Sequence, residues 1–185
     1  GQLEDAVAQH REAINITPNN VEAHYNLGLA LHELGQLEEA VIHYLKAIEI
    51  KPDFINAHNN LGNALHELKR LDQATTHYRK AIAIQPNFAD AHYNLGVMHR
   101  EFGRLEEAVI HYRKTLAIKP DYAEAHNNLG NVLKDLGKLD EAMTSYHKAL
   151  AIKPDLAEAH SNLGTTFQEL GRLREAVASY EKAID

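Results

Sequence analysis

The stretch that decides the fold is VEAHYNLGLALHELGQLEEAVIHYLKAIEIKPDF, residues 21–54. The next 34 residues, 55–88, read INAHNNLGNALHELKRLDQATTHYRKAIAIQPNF, and the pattern restarts at Ala89, Ala123 and Ala157. All five prolines keep the same spacing: Pro18, Pro52, Pro86, Pro120 and Pro154. A fixed period of this length is the signature of a repeat architecture, so we predict a quasi-linear array rather than one or two globular domains.

Each repeat reads as two helices joined by turns. Ala57, Leu61 and Leu65 share one face of the first helix, because they recur at helical spacing. Acidic residues open the second helix and basic residues close it, which complements the helix dipole. The pattern predicts helices near 21–34 and 38–51 and at 34-residue steps from there.

The turns carry their own signals. Gly35 follows the first helix, where glycine supplies the left-handed conformation that ends a helix. Lys69 fills this position once, and we expect its turn to be strained, since a side chain disfavours that conformation. Pro52 ends the second helix, and we expect Asp53 to cap the first helix that follows.

A glycine also recurs inside each first helix, as at Gly28, where it costs roughly 0.5–1 kcal/mol relative to alanine. We interpret it as facing Ala40 of the second helix, so that the two helices approach closely. Tyr44 is then expected to fill the space between units.

Composition excludes several classes of function. Hydrophobic residues make up 44% of the chain, enough for a continuous core, and the formal charge is -7, which argues against a nucleic-acid groove. There is no cysteine, so thiolate and disulfide chemistry are excluded. No apolar run approaches the roughly 18 residues of a membrane span, no signal peptide is visible, and we expect a cytoplasmic location.

The repeat resembles the tetratricopeptide repeat (TPR) family over the whole chain. The residues that carry the resemblance are Leu27-Gly28, Ala40, Tyr44, Ala47 and Pro52, together with their copies. The resemblance implies an all-α fold: a right-handed TPR superhelix, or α-solenoid, of antiparallel helix pairs with a 34-residue period. It also implies that the first helices line a concave groove.

On this resemblance the chain is a single TPR array over residues 1–185. Its parts are a half repeat at 1–20, full repeats at 21–54, 55–88, 89–122 and 123–156, and a C-terminal repeat at 157–185 that lacks its last residues.

The groove is expected to carry a row of asparagines at the sixth position of every repeat. This asparagine ladder comprises Asn26, Asn60, Asn94, Asn128 and Asn162, and the ninth position adds Asn63 and Asn131. A carboxamide both donates and accepts, so such a row suits an extended peptide backbone. The ladder resembles that of the TPR arm of O-GlcNAc transferases, where asparagines at this place bind the substrate backbone. The alternative is structural: each asparagine bonds only to a neighbouring helix.

The second position of the repeat is mostly acidic: Glu22, Asp90, Glu124 and Glu158. These side chains either contact the ligand or serve the first turn of the helix as caps and solvated charges. A clamp for a terminal carboxylate is not expected, because the groove helices offer only Arg100 and Lys134.

Histidine raises the question of a metal. His24 and its copies lie on the apolar face and are expected to pack as neutral side chains, whereas His43, His77 and His111 are expected in solvent. No HExxH pair occurs, so we expect neither a metal site nor a catalytic one, and no cofactor.

The resemblance therefore implies a protein–protein interaction scaffold that binds extended peptide segments in its groove and is not an enzyme. The alternative is the substrate-recruiting TPR arm of a larger O-GlcNAc transferase-like glycosyltransferase. A third possibility is assembly. Both terminal helices lack a partner in sequence, so we expect either self-association through these uncapped helices or a protein that continues at both ends. The predicted partners are protein or peptide segments, not nucleic acid or membrane.

Overall fold

The computed structural model describes residues 1–184, and all regular structure in that range is α-helical. The helices are α1 (Gln2–Ile16), α2 (Val21–Glu33), α3 (Leu37–Ile50), α4 (Ile55–Glu67), α5 (Leu71–Ile84), α6 (Ala89–Glu101), α7 (Leu105–Ile118), α8 (Ala123–Asp135), α9 (Leu139–Ile152), α10 (Ala157–Glu169) and α11 (Leu173–Ile184). The predicted all-α helix pairs are confirmed, with bounds within about one residue of the sequence pattern. Within the described range no helix is both long and apolar enough to cross a membrane.

The chain divides into two compact units, with the second beginning at His92. In the first unit α1 packs on α2, α2 on α3, α3 on α4 and α4 on α5, and α2 also contacts α4. In the second unit α7 packs on α8, α8 on α9, α9 on α10 and α10 on α11, and α8 also contacts α10. Within each unit, first helices therefore lie beside first helices. The organisation of residues 1–185 as one array stays a prediction.

The glycine inside each first helix faces a tyrosine ring of the second helix, and the predicted approach to alanine stays a prediction. A Cβ added at Gly28 would lie 2.6 Å from Cε1 of Tyr44, and one at Gly62 would lie 2.4 Å from Cε1 of Tyr78. Both tyrosines are buried and sit in the same repeat as their glycine. The ring fills the space between the two helices of one repeat, and only glycine leaves room for it.

The turn after the first helix adopts the left-handed conformation in the first unit at Gly35 (φ 73°) and Lys69 (φ 61°). The second unit repeats it at Gly103, Gly137 and Gly171. The expected strain at Lys69 therefore has a structural basis, since a β-carbon disfavours this region by roughly 1–2 kcal/mol.

The first helices begin where predicted, at Val21 and Ile55, but the predicted cap at Asp53 was wrong. The N-cap of α4 is Phe54 rather than Asp53, and no side chain caps it. The turn is closed by the amide of Phe54, which donates to the carbonyl of Lys51 at 3.1 Å. Because Asp53 lies inside this turn, it cannot cap the helix. In α2 the corresponding residue, Asn20, does accept a hydrogen bond from the amide of Ala23 at 3.0 Å.

Candidate functional site

The ladder face of a first helix is the side that carries its sixth and ninth residues. Every ladder asparagine is half-buried there, and so are the ninth-position residues Asn63 and Asn131. The acids at the second position are exposed: Glu22, Asp90, Glu124 and Glu158. On the first helices, the asparagines are therefore partly shielded from solvent, whereas the acids are accessible to it.

Ladder asparagines reach back to the preceding first helix. Asn60 Nδ2 donates to the Tyr25 hydroxyl at 2.9 Å, and Asn128 Nδ2 donates to the Tyr93 hydroxyl at 2.8 Å. Asn162 Nδ2 makes the same link by donating to Oδ1 of Asn127 at 3.1 Å. In these three bonds the acceptor is the fifth residue of the preceding repeat, a position that the sequence analysis did not single out. These bonds tie neighbouring first helices together.

That link uses only part of each carboxamide. A primary amide has two N–H donors and a carbonyl acceptor, and the link uses one donor. Among the described residues, Oδ1 of Asn128 and Oδ1 of Asn162 accept no side-chain hydrogen bond, while Oδ1 of Asn60 receives only a long contact of 3.5 Å from Asn59. The structural role and a binding role are therefore compatible in one side chain.

Asn26 differs from the other rungs. The helix before α2 is α1, a second helix, so the described residues include no preceding first helix that could offer Asn26 a fifth-position partner. Asn26 makes no side-chain hydrogen bond among the described residues. Asn26 is therefore the ladder asparagine at which a role in peptide binding can be tested without disturbing a bond between helices.

The ninth position has a packing role that the sequence did not reveal. The Tyr78 hydroxyl donates to Oδ1 of Asn63, and the Tyr146 hydroxyl donates to Oδ1 of Asn131, each at 2.9 Å. In α2 the ninth residue is Leu29, which cannot accept. There the Tyr44 hydroxyl is fully buried and has no hydrogen-bond partner among the described residues.

The exposed acids act on the tyrosines beneath them. Burial raises the pKa of the Tyr25 hydroxyl, and the nearby Glu22 carboxylate raises it further. Burial likewise raises the pKa of Tyr93, with Glu124 as the leading charge. Both phenols therefore stay neutral over the physiological range and remain hydrogen-bonding groups.

The second-helix histidines are not in solvent, so that expectation was wrong. His58 Nδ1 lies 3.1 Å from Nδ1 of His77, and His58 Nε2 lies 3.0 Å from the Pro52 carbonyl oxygen. A carbonyl only accepts, so Nε2 of His58 carries the proton and its Nδ1 accepts from His77. Nδ1 pairs with the same 3.1 Å separation join His24 to His43 and His92 to His111.

These paired rings favour the neutral state. Burial lowers the pKa of His58, and burial together with His58 lowers the pKa of His77 to about 4. Burial also lowers the pKa of His43 and of His126. No group of three or more His, Cys, Asp or Glu side chains that could hold a metal ion occurs within residues 1–184.

The family of the chain follows from the repeat and its packing. A TPR repeat model matches residues 1–35, 29–69, 62–101, 98–137 and 130–171, and a tetratricopeptide repeat model matches residues 159–185. The chain belongs to the tetratricopeptide repeat family, whose members are typically protein-interaction scaffolds.

Solved structures of other proteins share this fold. A crystal structure of MamA is 25% identical with a TM-score of 0.78, covering 85% of this chain and 92% of its own. YrrB, described as a TPR protein with an unusual peptide-binding site, is 24% identical with a TM-score of 0.76, covering 95% of this chain and 91% of its own. PilF of Pseudomonas aeruginosa is 24% identical with a TM-score of 0.82, covering 89% and 75%. No curated protein matches the chain.

Proposed function

We propose that this protein is a non-catalytic scaffold that binds extended segments of partner proteins along the ladder face of its first helices. The main support for this proposal is that the ladder carboxamides have hydrogen-bonding groups left over. Asn128 and Asn162 each spend one N–H on the neighbouring helix and keep a carbonyl oxygen and a second N–H. Those are the two groups that a peptide backbone pairs with, residue after residue, without regard to its side chains.

The charge of these helices indicates which segments fit. The five first helices carry nine Asp and Glu residues against two Lys and Arg, while the rest of the chain is balanced at seventeen of each. The net charge of -7 therefore resides on the helices that carry the ladder. Acidic segments would be repelled there, so we expect basic or neutral ones.

Asn26→Ala is the cleanest test, because the Asn26 carboxamide makes no hydrogen bond to any other described residue. A fluorescently labelled, unstructured basic peptide would be titrated against the full chain by fluorescence anisotropy. We expect Asn26→Ala to weaken binding by about three- to tenfold, equivalent to one lost hydrogen bond, without changing the melting temperature.

Asn60 needs a matched control, since it also bonds to Tyr25. Tyr25→Phe removes the internal bond but keeps the carboxamide, whereas Asn60→Ala removes both. If the ladder binds peptide, Asn60→Ala weakens binding well beyond Tyr25→Phe. Equal losses of stability in the two variants, with unchanged affinity per folded molecule in both and in Asn26→Ala, would mean that the ladder is structural only.

A narrower hypothesis is that the chain is the substrate-recruiting arm of an O-GlcNAc transferase-like enzyme. It depends on the ladder alone, and neither the family match nor the relatives named above point to a transferase. The self-association expected at the terminal helices stays a separate prediction, tested by light scattering at micromolar concentration.

A further inference from the structure

A hollow of about 700 Å³ opens in the second unit between α7, α8 and α9. Its walls are apolar and include Leu116, Leu129 and Leu133, and Arg113 and Lys148 lie at its edge. Of the uncharged and acidic polar side chains that line it, Glu141 and Thr144 are exposed, whereas His126 and Ser145 are buried, at 8% and 6% exposed. None of the ladder asparagines lines this hollow.

The hollow stands where other repeats hold a second histidine. Ser145 occupies the repeat position of His43, His77 and His111, whose rings each lie against the histidine of their first helix. Serine is too small to replace that ring, and its hydroxyl turns away to donate to the Glu141 carbonyl at 2.9 Å. The last repeat repeats the arrangement, since a hollow there is lined by His160 and Ser179.

The remaining histidine has a defined hydrogen-bonding need. His126 Nε2 lies 3.0 Å from the Pro120 carbonyl oxygen, so it carries the proton and donates. The Nδ1 of neutral His126 is then an acceptor. This Nδ1 has no partner among the described residues. The equivalent atom in the repeat at 55–88, His58 Nδ1, accepts a hydrogen bond from His77.

We propose that this hollow binds the imidazole ring of a histidine carried by a partner polypeptide, which donates an N–H to His126 Nδ1. The ring would take the position that His77 takes beside His58. The apolar walls suit a flat ring better than an ammonium group, which loses hydration among leucines. The open rim leaves room for the chain that carries the ring.

The first experiment uses imidazole itself, titrated into the full chain at pH 7.5 and followed through the histidine side-chain NMR signals. We expect the His126 signals to shift saturably with a Kd on the order of millimolar, as suits so small a ligand. His58 is the internal control, since His77 already fills its site, and its signals should stay still. No shift at His126, or equal shifts at both histidines, would overturn the proposal.

Variants add an independent check. Ser145→His should fill the hollow as in the other repeats and abolish the imidazole shift at His126, whereas Lys138→His adds a histidine outside the hollow and should leave it intact. Should Ser145→His fail to fold, the comparison of His126 with His58 in the unaltered chain still decides.

The source of the ring is tested with short peptides that differ only in a central histidine or alanine. Followed through the His126 signals, the histidine peptide should bind at least about tenfold more tightly than free imidazole, because its backbone adds contacts at the rim. The alanine peptide should leave the His126 signals unshifted, even if it binds at the ladder face. Equal affinity for the peptide and for imidazole would mean that the hollow takes free heterocycles, and the polypeptide partner would be wrong.

Discussion

Two buried tyrosines at the same repeat position should respond in opposite directions to the same substitution. The Tyr146 hydroxyl donates to Asn131 at 2.9 Å, whereas the Tyr44 hydroxyl is buried beside Leu29 without a partner. Both rings are 0% exposed, so removing the oxygen exposes nothing in either case. We predict that Tyr146→Phe destabilises the fold and that Tyr44→Phe stabilises it.

The magnitudes follow from hydrogen-bond energetics. Losing a neutral hydrogen bond costs about 0.5–1.5 kcal/mol, so Tyr146→Phe should lower the free energy of unfolding by about 1 kcal/mol. A buried hydroxyl without a partner carries a desolvation penalty of about 1–3 kcal/mol, so Tyr44→Phe should raise it by about 1 kcal/mol or more. For a chain of this size each change corresponds to a shift of about 2–4 °C in melting temperature.

Thermal melts and urea titrations of the two variants give the overall sign, and amide hydrogen exchange assigns each change to α3 or to α9. A double-mutant cycle supplies the control: in an Asn131→Leu background, Tyr146→Phe should lose its cost, since the hydroxyl then resembles that of Tyr44. If both tyrosine variants shift stability in the same direction, the hydrogen-bond assignment at the ninth position is wrong.

Further predictions concern the backbone and the histidines. Lys69→Gly should stabilise the fold by about 1 kcal/mol in urea titrations, because it relieves a φ of 61°, and a loss of stability would contradict that strain. Gly62→Ala should lower the free energy of unfolding by about 1–3 kcal/mol in the same assay, because its Cβ would lie 2.4 Å from the Tyr78 ring. This loss should exceed the gain from the better helix propensity of alanine. A higher free energy of unfolding would show that the Tyr78 ring moves to make room. The pKa of His77 is lowered in the fold, so its contribution is complete above about pH 6.5 and is lost as pH falls toward about 4. His77→Ser should therefore flatten the dependence of melting temperature on pH between pH 7.5 and 5.5. An unchanged slope would show that the histidine pair is not its cause.

The repeat made most of the fold predictable, because helix length and turn position are set by local sequence. Gly35 and its copies located the left-handed turns, and Lys69 was correctly expected to adopt the same strained conformation. Asp53 shows where local reasoning fails. Aspartate is a favoured N-cap, but the Phe54 amide closes the turn around Asp53, so the N-cap is Phe54.

The site was predictable only in part. The sequence located the asparagine row, but it could not separate binding from packing, since both uses require the same side chain. The decisive partner, Tyr25 for Asn60, lies 35 residues away on another helix. Tyrosine and asparagine alternate at the fifth position from Tyr25 to Asn127, and this alternation is the sequence signal of that partner. The histidine pairs were not predicted, because the first-helix and second-helix histidines were interpreted separately.

The polar contacts described above recur at a few fixed separations along the chain. Histidine pairs span 19 residues, tyrosine–asparagine pairs within a repeat span 15, and the ladder bonds span 35. Contacts as local as these correspond to a low contact order. Little chain entropy is lost in closing each loop, so the protein should fold fast. During synthesis, each repeat has all of these partners as soon as the next first helix leaves the ribosome. The protein can therefore acquire its structure one repeat at a time, in the order in which it is made.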